Sequence, residues 1–161
     1  MELKTPCYVI DLDRLHSNLE KISTIKSNAD CQVLFALKGF SLDCILPLLF
    51  QYLDGVSASG EFEAQLGKEF QQFVSTFSPA YPPNSFENIA KTSDIVVFNS
   101  IDQYNRYSSY VYQNGHSCGI RINPEYSELP SEFSANPCRP WSHLGIKMRY
   151  ACDRVFWTRQ N

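Results

Sequence analysis

An α/β fold built on a parallel sheet is what this sequence predicts, and three observations predict it. Short apolar runs of strand length alternate with amphipathic stretches of helix length along most of the chain. Polar residues close five successive apolar runs: Lys38, then Ser57 and Ser59, Ser78, Asn99 and Ser100, and Arg121 with Asn123. The 161 residues are enough for one domain with one core.

The first helix is expected over Asp11 to Lys26, where Leu12, Leu15, Leu19 and Ile22 recur at spacings of three and four and Asp11 or Asp13 is available as the N-cap. CQVLFALK, Cys31 to Lys38, is nearly continuous in apolar residues, as a strand covered on both faces requires. Ser41 opens a helix through Tyr52, and Leu53 to Ala58 forms the second strand. Gly60 breaks the chain before a helix over Glu61 to Lys68. Phe73 to Phe77, a helix over Asn84 to Lys91, and Asp94 to Phe98 follow in the same rhythm. A last helix over Ile101 to Tyr112, with Ile101, Tyr104 and Val111 on one side, leads to a fifth strand over Ser117 to Ile122.

Alternating strands and helices imply βαβ units with right-handed crossovers, in an open sheet or a barrel. A doubly wound sheet gathers its ligand groups at one switch point, whereas a (βα)8 barrel gathers them at every strand's carboxyl end. Polar residues at five successive strand ends favour the barrel. Five strands do not close one, so either the sheet is open or the chain is the front part of something longer.

Composition narrows the function classes. At 43% hydrophobic and 19% charged residues the chain is too apolar for disorder, and it has no apolar run near the roughly 20 residues that span a bilayer. Fourteen Lys and Arg against 17 Asp and Glu give a net charge of -3, so no nucleic-acid or membrane-surface partner is indicated. The six cysteines are scattered without CxxC or Cys/His spacing, as reduced thiols in a cytoplasmic protein would be, and the N-terminus has no signal-peptide pattern.

Lys38 is the sharpest chemical feature. An amine ending an apolar strand sits near surroundings that favour its neutral, nucleophilic form, able to form a Schiff base. The other reading is a lysine that reaches from the strand end into water. Arg121 is either an anion contact or half of a structural ion pair. Ser57 and Ser59 are either polar groups facing a ligand or turn residues capping the next helix. Cys138 reads as a plain loop cysteine, and His16 and His116 as surface residues.

The words around these residues add a resemblance. TPCYVIDLDRL and FALKGF resemble the start of the fold-type III pyridoxal-phosphate decarboxylases, the alanine racemase-like barrels. LDGVSASGEFEAQLG, TFSPAY, DIVVFNS, GIRINPEYSE and NPCRPWSHLGI, in that order, are similar to the carboxynorspermidine (carboxyspermidine) decarboxylase family from about Leu3 to Ile146. The resemblance implies a partial (βα)8 TIM-type barrel that breaks off after about five strands, with residues 1–146 as the N-terminal part of a pyridoxal 5'-phosphate-binding domain. It implies Lys38 as the catalytic, cofactor-holding lysine, with Arg121 and Ser57 as cofactor contacts. It also implies a carboxy-lyase of polyamine biosynthesis that makes norspermidine or spermidine, working in the cytoplasm as a homodimer when full length. A diaminopimelate decarboxylase is the nearest alternative, but there the lysine is usually followed by Ala and Asn, not Gly39 and Phe40.

Departures from the family pattern carry their own expectations. Trp141 stands where the family usually has Gly, and His143 where it has Arg, so a glycine's backbone freedom and a fixed positive charge are both lost. After Ile146 the stretch KMRYACDRVFWTRQN has four basic residues against one acidic and no family word, the pattern of a frameshifted or replaced tail over residues 147–161. The family's ring-stacking histidine, glycine-rich phosphate loop, pyridine-pairing acid and C-terminal β domain lie further along than this chain reaches. Little or no decarboxylase activity is therefore expected of it, and a non-catalytic remnant that binds the cofactor or mimics a subunit is the alternative.

Overall fold

The computed structural model describes residues 4–130, 132–133, 136–148 and 150. Asp11, not Asp13, caps the first helix, its carboxylate accepting the Arg14 N–H at 3.1 Å. Helix α1 runs Leu12–Ala29 and stops at Asp30, which turns left-handed at φ 47°. Strand β1 is only Leu34–Ala36, because the end of the expected run coils into a 3-10 turn over Leu37–Gly39. The helix expected over Ser41 to Tyr52 is also broken. A 3-10 turn, Asp43–Ile45, precedes the one-turn helix α2, Leu46–Leu49. Pro47 lies in the first turn of α2. A proline, lacking the N–H, is admitted at a helix start and not in its interior, so the α-helix begins beside Pro47 and Ser41 caps nothing.

The remaining elements fall within two residues of their expected bounds. They are β2 (Gly55–Ala58), α3 (Glu61–Glu69), β3 (Phe73–Phe77), α4 (Phe86–Thr92), β4 (Ile95–Phe98), α5 (Ile101–Gln113) and β5 (Ser117–Ile120). Ser100 caps α5 by accepting the Gln103 N–H. The fifth strand was expected to reach Ile122, but its ladder with β4 ends at Ile120. Residues Ile122–Asn123 form β6, which pairs in parallel with β7, Ile146–Lys147. Arg121 joins the two ladders: its N–H bonds Phe98 O at 2.9 Å on one side, and its carbonyl accepts the Ile146 N–H at 2.8 Å on the other. A separate two-stranded ladder, which the hydrophobic pattern did not show, thus follows the five-stranded sheet.

Five strands pair in the order β1-β2-β3-β4-β5, every neighbour parallel. That order never reverses, so there is no switch point, and every crossover of one hand lays its helix on the same face. The described residues form an open arc of a barrel wall rather than a closed barrel. Alternation along the strands shows the two faces. Val56, Val74, Thr76, Val96 and Phe98 are fully buried under the helices, whereas Ser57, Ser75, Phe77, Ile95 and Val97 on the other face are only half-buried. Close helix packing depends on Gly67 of α3, where an added Cβ would lie 2.5 Å from a Val56 methyl and 2.8 Å from one of Val74.

Two clusters fill the helix side. The first is aliphatic, with Leu19, Leu37, Leu46, Leu49, Val56 and Val74 at its centre. The second is aromatic: Phe86 stacks on Tyr107 at 4.2 Å between ring centres and meets Tyr81 edge-on at 5.3 Å. At the amino-terminal edge of the sheet one arrangement occurs twice. Lys26 in the last turn of α1 bonds Asp54 at 2.8 Å, and Asp54 accepts the Val33 N–H at 2.7 Å. Lys68 in the last turn of α3 bonds both oxygens of Asp94, which accepts the Val74 N–H at 2.7 Å. Each aspartate immediately precedes a strand and ties a helix end to the backbone of the strand before it.

Candidate active site at the carboxyl edge of the sheet

Parallel register brings the five polar strand ends to one edge, as the sequence required. Ala36 pairs with Ser57, Ser57 with Ser75, and Phe98 with Ile120, so the residues just beyond these positions surround one rim. Lys38 lies on that rim in the 3-10 turn after β1. It is exposed, because the turn sends Leu37 into the core and leaves its neighbour outside. The apolar enclosure expected around Lys38 is therefore not formed by the described residues, and its amine has no carboxylate partner among them.

Arg121 resolves differently from its structural alternative. No acidic side chain pairs with it among the described residues; its guanidinium lies over the Phe77 ring, 4.6 Å from the centroid. Phe77 belongs to β3, so the side chain reaches across β4 over the open face, where dispersion and the ring's negative face hold a cation. Ser57 sits half-buried on that same face. Neither Ser57 nor Ser59 caps α3, whose N-cap is Gly60; the Ser59 N–H instead donates to Glu63 at 2.7 Å.

Of the residues that organise this rim, Asn99 and Asn123 were read from the sequence only as polar strand ends, and Tyr81 and Asn136 were not singled out. The Tyr81 hydroxyl lies 2.8 Å from Val97 O and 3.1 Å from Thr76 O and accepts the Ser78 N–H, joining the ends of β3 and β4. Burial pushes the Tyr81 phenol well above its ordinary value, so it stays a neutral donor. Asn99 accepts the Gly145 N–H and donates to His143 O, both at 2.7 Å. Buried Asn123 donates to Leu144 O at 3.0 Å, and buried Asn136 accepts the Cys138 N–H at 2.8 Å. The only signal for these in the sequence was their place just after apolar runs or inside polar loops.

The same loop bounds a cavity of about 510 Å³ lined by Asn123, Glu125, Tyr126, Leu129, Arg139 and Lys147, among others. Lys147 pairs with Glu125 across it at 3.2 Å. Trp141 takes the left-handed backbone at φ 72° with its side chain 98% exposed, so the loop keeps a conformation suited to glycine without having one. His143 is exposed and contributes its carbonyl rather than its ring. Cys138 is a free, half-buried loop thiol; His16 is exposed and His116 is half-buried. Among the described residues no group of three or more His, Cys, Asp or Glu is placed to hold a metal, and no helix is long and apolar enough to cross a membrane.

An arc of parallel strands with helices on one face and polar groups along its carboxyl edge defines the class: part of the wall of a (βα)8-type barrel. No family model matches the chain. Individual proteins do. The chain is 35% identical over 149 residues to the carboxynorspermidine/carboxyspermidine decarboxylase of Campylobacter jejuni, covering 92% of this chain and 38% of that protein. It is 36% identical over 146 residues to the carboxyaminopropylagmatine decarboxylase of Synechocystis, covering 90% of this chain and 38% of that one. A crystal structure of carboxynorspermidine decarboxylase with norspermidine, also from Campylobacter jejuni, superposes with a TM-score of 0.80 at 31% identity over 97% of this chain and 39% of its own. The chain thus matches the N-terminal part of the carboxynorspermidine decarboxylases and spans 38% of the length of these curated relatives.

Proposed function

We propose that this chain carries the cofactor lysine of a pyridoxal 5'-phosphate-dependent decarboxylase acting on carboxynorspermidine or carboxyspermidine, and that Lys38 is that lysine. The observation that carries the reading is the placement of Lys38 beyond β1 on the rim that Arg121 and Ser57 share, in a chain that matches such decarboxylases over 92% of its length. The donor set fits the cofactor. A primary amine without a carboxylate partner can condense with an aldehyde, a guanidinium without one can take an anionic oxygen, and the half-exposed sheet face leaves the space between strands uncovered.

When bound, pyridoxal 5'-phosphate supplies the electron sink for the carbon that loses carbon dioxide. The chain's own part is to hold and orient it. Lys38 anchors it through Nζ, Arg121 brings a fixed positive charge that the Phe77 ring keeps in place, and the Ser57 hydroxyl offers a hydrogen bond from the floor of the sheet. Because Lys38 is exposed and one sheet face stands open, water reaches the rim. By itself the 161-residue chain is therefore expected to turn over little or no substrate.

Borohydride trapping tests the reading. The chain is mixed with pyridoxal 5'-phosphate, reduced, digested and mapped by mass. Modification concentrated on Lys38, lost in Lys38→Ala and weakened in Arg121→Ala, supports it. Labelling spread evenly over the surface lysines, or no Lys38 adduct in a folded sample, sinks it.

A further inference from the structure

We propose that Asn99 is a positioning residue for Arg121, acting through the loop that carries Gly145. Its side chain uses both ends at once, accepting the Gly145 N–H and donating to His143 O. Gly145 in turn lies against the backbone of Arg121. It adopts φ +80°, and a Cβ there would meet Asn123 N at 2.9 Å and Arg121 O at 3.1 Å, so only glycine permits this approach. The next residue, Ile146, donates its N–H to Arg121 O at 2.8 Å. Pinning Gly145 therefore pins the Arg121 peptide from the side opposite β4, and the Arg121 guanidinium stays over Phe77.

Asn99 is itself held. Its N–H donates to the Gln103 side-chain oxygen at 2.8 Å, and the Gln103 amide donates to Pro79 O at 2.8 Å. Pro79 follows β3, Asn99 follows β4, and Gly145 precedes β7, so one polar chain ties three loops of the rim together. The significance of Arg121 rests on the proposed cofactor reading, but the coupling itself can be measured on the chain alone.

The measurement is nuclear magnetic resonance on the isotope-labelled chain without cofactor. The Phe77 ring current shifts the Arg121 Nε–H resonance, which reports where the guanidinium sits. In Asn99→Ala this resonance moves towards its unshifted position, and exchange of the Gly145 amide rises roughly tenfold while the Val96 amide stays slow. Gln103→Ala leaves both Asn99 side-chain bonds in place and removes only the support from Pro79, so it is the milder variant and moves the Arg121 resonance less. An Arg121 resonance unmoved in both Asn99→Ala and Gln103→Ala overturns the proposal, even if Gly145 exchange quickens, since the loop would then be loosened without consequence for Arg121. If Asn99→Ala does not fold, Gln103→Ala decides it: a shifted Arg121 resonance supports the proposal and an unmoved one overturns it. Failure of borohydride trapping would leave these resonances as they are, so the two readings fail separately.

Discussion

Lys26 and Lys68, at the amino-terminal edge of the sheet, each meet an aspartate that also takes a backbone N–H, whereas Lys38 and Arg121, at the carboxyl edge, meet no carboxylate among the described residues. The two edges belong to the same strands and carry the same kinds of side chain. The difference lies in what each charge is used for. Where a helix returns to start the next strand, an ion pair with a backbone bond fixes the turn, and its desolvation is offset by direct partners. Where the strand ends, a pre-formed pair would compete with a ligand for the same groups. Lys38 and Arg121 without carboxylate partners at one end of the sheet, and Lys26 and Lys68 with them at the other, are the division expected between a binding edge and a stability edge.

The largest effect should come from breaking the paired edge. Asp94→Ala removes a two-pronged contact to Lys68 and strands the Val74 N–H, which should cost about 2–3 kcal/mol in urea unfolding. Asp54→Ala should cost about 2 kcal/mol for the same reason. If either leaves stability unchanged, the paired edge is decoration. Acid should expose the same difference. At Asp54 the Lys26 bond and the Val33 N–H hold the carboxyl below its ordinary value. At Asp94 burial opposes ionisation, but the Lys68 bond and the Val74 N–H outweigh it. A lowered folded value means that the stabilisation is complete above the unfolded value of about 3.9 and is lost as pH falls through the folded one. Unfolding free energy should therefore be flat from these groups above roughly pH 5 and decline below about pH 4, with a shallower decline in Asp94→Asn.

Smaller effects belong to the carboxyl edge. Trp141→Gly relieves a left-handed backbone at a position whose side chain touches little, and should raise stability by about 1 kcal/mol. A loss on this substitution would show that the indole has contacts in solution. Arg121→Ala should cost about 0.5–1 kcal/mol through the lost ring contact. Lys38→Ala should change stability by less than about 0.5 kcal/mol while abolishing cofactor capture at that position, the sharpest separation of the two edges.

Much of this arrangement was legible in one dimension. β3 was read to the residue, and the helix over residues 101–112, read from Ile101, Tyr104 and Val111 on one side, came out one residue short, because hydrophobic period acts locally. The helix at 41–52 failed because Pro47 and the short connection forced a 3-10 turn that apolar spacing does not reveal. Strand β7 was missed for a different reason. Two residues carry no period, and Ile146–Lys147 is a strand because it pairs with β6 and takes the Arg121 carbonyl.

By itself the sequence determined the order of elements, the identity of the groups at each strand end, and the family words that led to Lys38. Those are properties of neighbours within a few residues, where propensity, capping and hydrophobic period operate. Only the tertiary structure decided which side of the sheet stands open, that Lys38 is exposed rather than enclosed, and that Arg121 rests on Phe77 instead of an acid. It also joined Asn99 to Gly145, 46 residues away, through a bond of 2.7 Å. Such contacts depend on the strand order and on the single hand of the crossovers, which bring distant loops to one rim and which no local pattern encodes.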